Sequence, residues 1–290
     1  MKKFTILLFF SFALALSFFP ASIPDAPFAA YQYVKVFFLF LTWLLAIFGW
    51  GNFFQKKLGF QTGDTEWPLR FLFAFLSAIS FSIFLGHAHL LHEKWIFWIL
   101  IAMGNIFIGK NTGSNETCAI REKIKSLTDT FFSKLILAII IFFFALRLFA
   151  AFQPQSHCDP LLYHLVGPRL WVQQGFIGLI PNLPNAILAS SWENLYIWPQ
   201  ALLIGSVQGA GLIEAQLFSQ WTHLFLGCLG LAVVLYSLLK KYTQNLSVRL
   251  LIVFSALTVL SFQWSANLAK NDWGILFLTL SGLAILIQHE

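Results

Sequence analysis

The sequence predicts an all-α fold: a polytopic membrane helix bundle of about eight transmembrane helices, with juxtamembrane helices in a long outer loop. Composition is the first observation, since the 290 residues are 58% hydrophobic and 10% charged, whereas soluble domains carry about 25% charged residues. The second is a series of apolar runs long enough to cross a bilayer as helices. Helix is the element expected for them, because lipid cannot hydrogen-bond an exposed backbone.

The eight apolar runs follow one another along the whole chain. They cover, within about two residues, 4–20, 31–50, 69–90, 94–109, 134–152, 214–239, 248–265 and 273–288. The first run has a second interpretation as a signal peptide, because Lys2 and Lys3 precede a short apolar stretch and a region of small residues. Both interpretations leave the following residues outside the cytoplasm.

The distribution of lysine and arginine predicts the orientation. With the N-terminus inside, thirteen basic residues fall in inner loops and five, namely Lys35, Lys94, Arg147, Arg169 and Lys270, fall at or near the outside. The positive-inside rule therefore predicts cytoplasmic N- and C-termini. The net charge of +6 reflects this topology, and no basic patch interleaved with aromatic residues indicates nucleic acid as a partner.

Two regions are predicted. Residues 1–133 form an N-terminal four-span membrane region, and residues 134–290 hold four spans and an outer loop at 153–213. The loop contains Trp171, Trp192 and Trp198, with Trp221 just beyond it, so we expect it to fold against the membrane surface. Its run 195–209 is predicted to be an interfacial or re-entrant helix at the outer face, because a further crossing would place Lys240 and Lys241 outside.

Polar residues cluster where the outer loop begins, in SHCDPLLYHLVGPRLW (156–171). Asp159 precedes a proline suited to the first helical position, so it can cap an amphipathic surface helix that buries Leu165 and Val172. Tyr163, His164 and Arg169 are then available to face a cavity. The plainer interpretation is that Asp159 only caps the helix, Tyr163 is an aromatic residue at the membrane interface and Arg169 binds a lipid phosphate.

Further charged candidates are predicted on the same face. Lys270 and Asp272 lie in the connection between the last two spans, where charged groups usually face a bundle interior or an aqueous cavity, although a polar turn that caps the last helix is an alternative. Glu193 and Glu214 are further outer carboxylates. Glu193 either binds a sugar hydroxyl or caps the re-entrant helix, and the cap is the favoured interpretation.

Metal binding and disulfides receive little support. HAHLLHE (87–93) would place His89 and Glu93 one helical turn apart, but the spacing matches no zinc signature, so a polar helix end is favoured and no metal ligands are assigned. Cys118, Cys158 and Cys228 fall in different environments, which predicts no disulfide.

Several of these residues together resemble a known family. Asp159, Tyr163, His164, Pro168, Trp171, Gly175, Pro181, Glu193, Tyr196, Pro199 and Gln200, in that order, and later Lys270-Asn271-Asp272, resemble bacterial membrane glycosyltransferases of the GT-C type. This family is similar to protein mannosyltransferases and to lipopolysaccharide and lipid A sugar transferases. The resemblance covers about residues 134–290.

The resemblance implies a multi-pass enzyme of the bacterial cytoplasmic (inner) membrane. The family transfers a sugar from a polyprenyl-phosphate donor to a lipid, glycan or protein acceptor at the non-cytoplasmic face. Asp159 would be the catalytic base, Arg169 or Lys270 would stabilise the leaving phosphate, and Tyr163, His164, Glu193 and Asp272 would bind the substrates. A carboxylate base and a cation beside phosphate are what this reaction requires. No cofactor is assigned, and a divalent metal remains an option.

The sequence departs from the family in two respects. Asp159 stands alone where the family usually has paired acids, and the family continues through further spans, which predicts that this chain is a fragment, a truncated product or one part of a split enzyme. Two other classes are considered: a lipid or solute transporter or flippase, for which a two-half repeat would be typical, and a non-catalytic membrane scaffold.

Overall fold

The computed structural model describes residues 30–60, 66–111, 130–152, 164–180, 190–203, 211–261 and 272–289. Every regular element in these ranges is helical. The α-helices are α1 (Ala30–Lys57), α2 (Glu66–His87), α3 (Lys94–Asn111), α4 (Phe131–Ala150), α5 (Val166–Gln174), α6 (Ser190–Glu193), α7 (Ile197–Leu203), α8 (Leu212–Thr222), α9 (Gly230–Tyr242), α10 (Leu246–Ser261) and α11 (Asp272–His289). A 3₁₀ turn (Asn194–Tyr196) joins α6 to α7, and a π-helix (His223–Leu229) joins α8 to α9.

Four helices are long and apolar enough to cross a membrane. They are Gln32–Lys57, Trp67–His87, Phe131–Ala150 and the continuous helix Leu212–Tyr242. Three shorter apolar helices accompany them: Lys94–Ile108, Leu246–Thr258 and Gly274–Leu286. The predicted all-helical membrane fold is thereby confirmed, while the predicted first run, 4–20, lies outside the described residues.

Helices α1, α2 and α3 form a tightly packed group. Gly49 of α1 faces Gly104 of α3, and the space between them is too small for a methyl group on either residue. Asn105 Nδ2 donates to Thr42 O at 3.2 Å, and Phe53 stacks on Phe107 at 4.5 Å. The chain reverses between α1 and α2 and again between α2 and α3, so α1 and α3 run in the same direction. Both begin at the end of the bundle where α2 ends, which we call the His87 end.

The chain between 190 and 203 lies inside the bundle. Residues from Trp192 to Leu202 are all buried. Trp198 Nε1 donates to Ala78 O, near the middle of α2, at 3.1 Å, and its indole packs against Trp43 of α1. The predicted interfacial position is wrong, because a helix in the membrane surface would keep one exposed face. Residues 204–209 of the predicted run lie outside the described residues.

The four tryptophans expected at the membrane surface are instead part of the core. Trp171, Trp192, Trp198 and Trp221 are each at most 2% exposed. Their indole N–H groups have acceptors inside the protein, as in the 3.2 Å bond from Trp221 Nε1 to Ala151 O. Buried indoles need such partners, and here they are the backbone carbonyls of Ala78, Ala151 and Gly178 and the hydroxyl of Tyr196.

Helix α4 presents apolar surface outward. Only 11% of its most apolar 18-residue stretch is buried, whereas the corresponding share in the other three long helices is 61–67%. Phe131, Phe142 and Phe149 are among its exposed side chains. Its contact with α10 includes the 2.9 Å hydrogen bond between the hydroxyls of Ser133 and Ser247. An exposed apolar helix of this length is suited to a lipid environment.

Helix α5 covers the His87 end. Leu165 and Val172 are buried there, as the amphipathic pattern predicts. The helix described here begins at Val166 without a side-chain cap, while the predicted start at Pro160 lies outside the described residues. Gly175 ends it with φ 85°, a left-handed conformation that glycine adopts without strain. Leu91 N donates to Gly175 O at 3.0 Å and attaches the segment to the turn between α2 and α3.

Candidate functional site

A histidine and a glutamate form a buried pair. His164 Nδ1 and Glu193 Oε1 are 2.6 Å apart, and each residue is 3% exposed. His164 directly precedes the segment that covers the His87 end, and Glu193 ends α6. The structure therefore brings together two residues that the sequence identified separately.

The carboxylate of Glu193 does not cap a helix, so the favoured interpretation from sequence is wrong. Glu193 makes no side-chain cap hydrogen bond at the 3₁₀ turn that follows it. Its Oε1 is held by His164, while its Oε2 is buried and has no hydrogen-bond partner among the described residues. A buried acceptor left unsatisfied costs roughly 1–3 kcal/mol. Oε2 therefore retains its capacity to accept a hydrogen bond.

Aromatic and imidazole groups surround the pair. Trp192, the neighbour of Glu193, stacks on Phe75 with ring centroids 4.9 Å apart and donates to the Tyr196 hydroxyl at 2.9 Å. That hydroxyl lies 3.4 Å from His223 Nδ1. Polar groups thus extend from the Glu193 segment into the long helix Leu212–Tyr242.

His223 was not identified as a functional candidate from the sequence. It is fully buried and begins the π-helix, a local geometry that often occurs at functional sites. The available signal was an imidazole inside the predicted span 214–239, because ionisable groups within membrane spans are rare and usually functional.

The start of α11 lies beside the same segment. Gly274 packs directly against the indole of Trp192, leaving no room for a side chain at that position. Asp272, which begins α11, is two residues before this contact. The backbone at Asp272 therefore approaches the segment that carries Glu193, although the two residues are far apart in sequence.

The remaining predicted site residues are only partly covered by the structure. Arg169 is half-buried on α5, five residues after His164. Asp159, Tyr163 and Lys270 lie outside the described residues.

The histidine-rich turn differs from the helix that the sequence suggested. Helix α2 ends at His87 and α3 begins at Lys94, so His89 and Glu93 are not one helical turn apart. His92 Nε2 contacts Glu93 Oε1 at 3.1 Å, and Trp95 Nε1 donates to Glu93 Oε2 at 2.7 Å. The described residues hold no group of three or more His, Cys, Asp or Glu that could bind a metal ion. Cys228 is a buried free thiol, and Cys118 and Cys158 lie outside the described ranges.

Fold and contacts together define a helical membrane protein with a buried, polar His–Glu pair. Comparison of the chain with family models, curated proteins and solved structures found no match.

Proposed function

We propose that this chain is a membrane glycosyltransferase, which transfers a sugar from a polyprenyl-phosphate donor to a lipid, glycan or protein acceptor. The observation that carries the proposal is the buried His164–Glu193 pair with a free carboxylate oxygen. Such an oxygen accepts a hydrogen bond from a sugar or acceptor hydroxyl. His164 directly precedes the helix that covers the His87 end, and the positive-inside rule assigns that end to the non-cytoplasmic face.

The reaction needs a base and a stabilised leaving group. An acceptor hydroxyl attacks the anomeric carbon, its proton passes to a carboxylate, and the bond from carbon to phosphate oxygen breaks as the phosphate departs with the electron pair. Asp159 is the proposed base, and the guanidinium of Arg169 or the ammonium of Lys270 stabilises the phosphate. Tyr163, His164, Glu193 and Asp272 position the sugar or the acceptor.

The Glu193→Gln variant tests the role of the pair. Glutamine keeps the shape and one oxygen but loses the charge, so transfer should fall about tenfold or more, the effect of losing one hydrogen bond to a charged group. Native membranes containing the full chain are supplied with a panel of polyprenyl-phosphate sugars radiolabelled in the sugar. Label that moves from the carrier to an acceptor is counted.

Glu93→Gln is the matched control, because Glu93 bonds Trp95 and His92 in the turn at the His87 end. It should transfer at the wild-type rate. Equal rates for wild type and Glu193→Gln would remove Glu193 from the mechanism. Retained transfer in Asp159→Asn would remove Asp159 as the base.

Lipid or solute transport is the second candidate. The observation that favours it is the burial of Lys35, Glu214 and His223 in apolar helices, because such groups often line a translocation pathway. Reconstituted vesicles with a fluorescent lipid distinguish the two. Movement of the lipid between leaflets without chemical change supports transport, whereas transfer of sugar label supports the enzyme.

A further inference from the structure

Arg249 is a buried cation that has no carboxylate partner among the described residues. It is the fourth residue of α10 and is 8% exposed. Its guanidinium donates one hydrogen bond within the described part of the chain, from Nη2 to Gln244 O, at a long 3.4 Å. Its Nε is buried and has no hydrogen-bond partner there. Because a guanidinium carries several N–H donors, much of the hydrogen-bonding capacity of this side chain remains unused.

An aromatic ring of the neighbouring helix fixes the position of the guanidinium. Its Cζ lies 5.1 Å from the centroid of the Tyr236 ring on α9, a distance at which the ring attracts a cation. The ring attracts the cation through its electron-rich face but carries no negative charge that could neutralise it. Arg249 is therefore held in the seam between α9 and α10, and its charge is not compensated by the residues described there.

The sequence around this seam is basic. Residues 215–271 contain no aspartate or glutamate, although Lys240, Lys241 and Arg249 lie within them. Lys240 follows Tyr236 by one helical turn on α9, so the two lie on the same side of that helix. The nearby sequence therefore supplies no acidic residue. Since an uncompensated buried charge is costly, a bound anion would stabilise the seam.

The seam lies where lipid headgroups are expected. The candidate span Leu212–Tyr242 ends at this turn, and the shorter apolar helix Leu246–Thr258 follows it. The end of a span lies at the boundary between membrane and water. Ile252 follows Arg249 by three residues, so the two are neighbours on one face of α10, and Ile252 is 41% exposed. A lipid can therefore place its phosphate at Arg249 and an acyl chain along Ile252, a contact from which a free anion gains nothing.

We infer that Arg249 binds the phosphate of an anionic membrane lipid in the seam between α9 and α10. The planar guanidinium can donate two parallel hydrogen bonds to phosphate oxygens, which a lysine ammonium does not match. The positive end of the α10 dipole, whose first turn carries Arg249, also favours an anion. Basic residues next to a membrane span commonly attract anionic lipids. This site is formed by other helices than the His164–Glu193 pair, and the inference does not depend on sugar transfer.

The test is thermal unfolding of the purified full chain in maltoside micelles, in buffer without phosphate, followed by tryptophan fluorescence. Phosphatidylglycerol is the probe. Diacylglycerol with the same acyl chains and inorganic phosphate are the comparisons, because each provides one half of the lipid. A ligand that binds only the folded state raises the Tm, so phosphatidylglycerol should raise the Tm of wild type by about 2–5 °C. Diacylglycerol and inorganic phosphate should each raise it clearly less.

Three variants assign the effect to Arg249. In Arg249→Gln, phosphatidylglycerol should raise the Tm no more than diacylglycerol does, because the charge and the planar fork of donors are lost. Arg249→Lys keeps the charge without the fork and should show a smaller increase than wild type. Lys57→Gln is the matched control, since it removes a charge from an exposed position at the end of another candidate span. It should show the full increase.

The increase in Tm is measured within each variant, so a general loss of stability does not imitate a loss of binding. A full increase in Arg249→Gln overturns the inference, and so does an equal loss of the increase in Lys57→Gln, which would assign the effect to overall charge. If Arg249→Gln does not fold, Arg249→Lys decides: an increase equal to that of wild type overturns the inference, and a reduced one supports it. An equal increase with inorganic phosphate would overturn the lipid and leave a free anion at Arg249.

Discussion

The bond between His164 and Glu193 shows how one buried contact limits the substitutions that can be interpreted. At 2.6 Å it is short, as hydrogen bonds with a charged partner are. Removing one member of a buried hydrogen-bonded pair leaves the other unsatisfied and costs about 1–3 kcal/mol. Alanine at Glu193 would therefore test stability, whereas glutamine, which can still bond His164, tests the function of the charge.

At the level of helices, the contact between α1 and α3 depends on glycine. A methyl group at Gly104 would overlap the backbone of Ala46, and one at Gly49 would overlap the backbone of Gly104. Membrane helices approach closely through such small residues, because packing rather than water exclusion holds them together. The same contact brings Lys35 and Lys94 to one end of the bundle.

Gly104→Ala should lower the free energy of unfolding by about 1–3 kcal/mol, the usual cost of overpacking. Gly282→Ala in α11 is the control, because nothing lies within 4 Å of the position its methyl group would take. It should leave stability unchanged or raise it by up to about 1 kcal/mol, since alanine favours helix. Unfolding in mixed micelles measures both, and equal stability of the two variants would contradict the close contact.

At the level of the whole molecule, two pairs of lysines close long helices at the same end of the bundle. The helix Leu212–Tyr242 begins beside Lys35 and therefore ends away from the His87 end, as α1 does. Lys56 and Lys57 close α1, and Lys240 and Lys241 close α9. These four lysines lie at the end opposite His87, and the positive-inside rule predicts that their end is cytoplasmic.

Labelling in intact cells tests this orientation. Single cysteines replace Leu179 or Tyr242, which are 77% and 67% exposed, in a background without Cys118, Cys158 and Cys228. An impermeant thiol reagent should label position 179, beside the His87 end, and should label position 242 only after lysis. Labelling at 242 in intact cells would place the candidate site on the cytoplasmic side.

The sequence by itself determined the membrane character and the position of most helices. Apolar runs of bilayer length are a local property, so 31–50, 69–90 and 134–152 correspond closely to α1, α2 and α4. It also identified His164 and Glu193 as candidates, because polar side chains in an apolar chain are costly without a role.

Only the tertiary structure decided how these parts meet. From the sequence, Glu193 was expected to cap a helix and 195–209 was compatible with the membrane surface. Packing instead buries the segment between α1, α2 and α3 and gives Glu193 a partner 29 residues away. His223 likewise became a candidate only through its contact with the distant Tyr196. The physical reason is that hydropathy acts residue by residue, whereas a buried polar group is satisfied by whichever distant element packing brings within hydrogen-bonding distance.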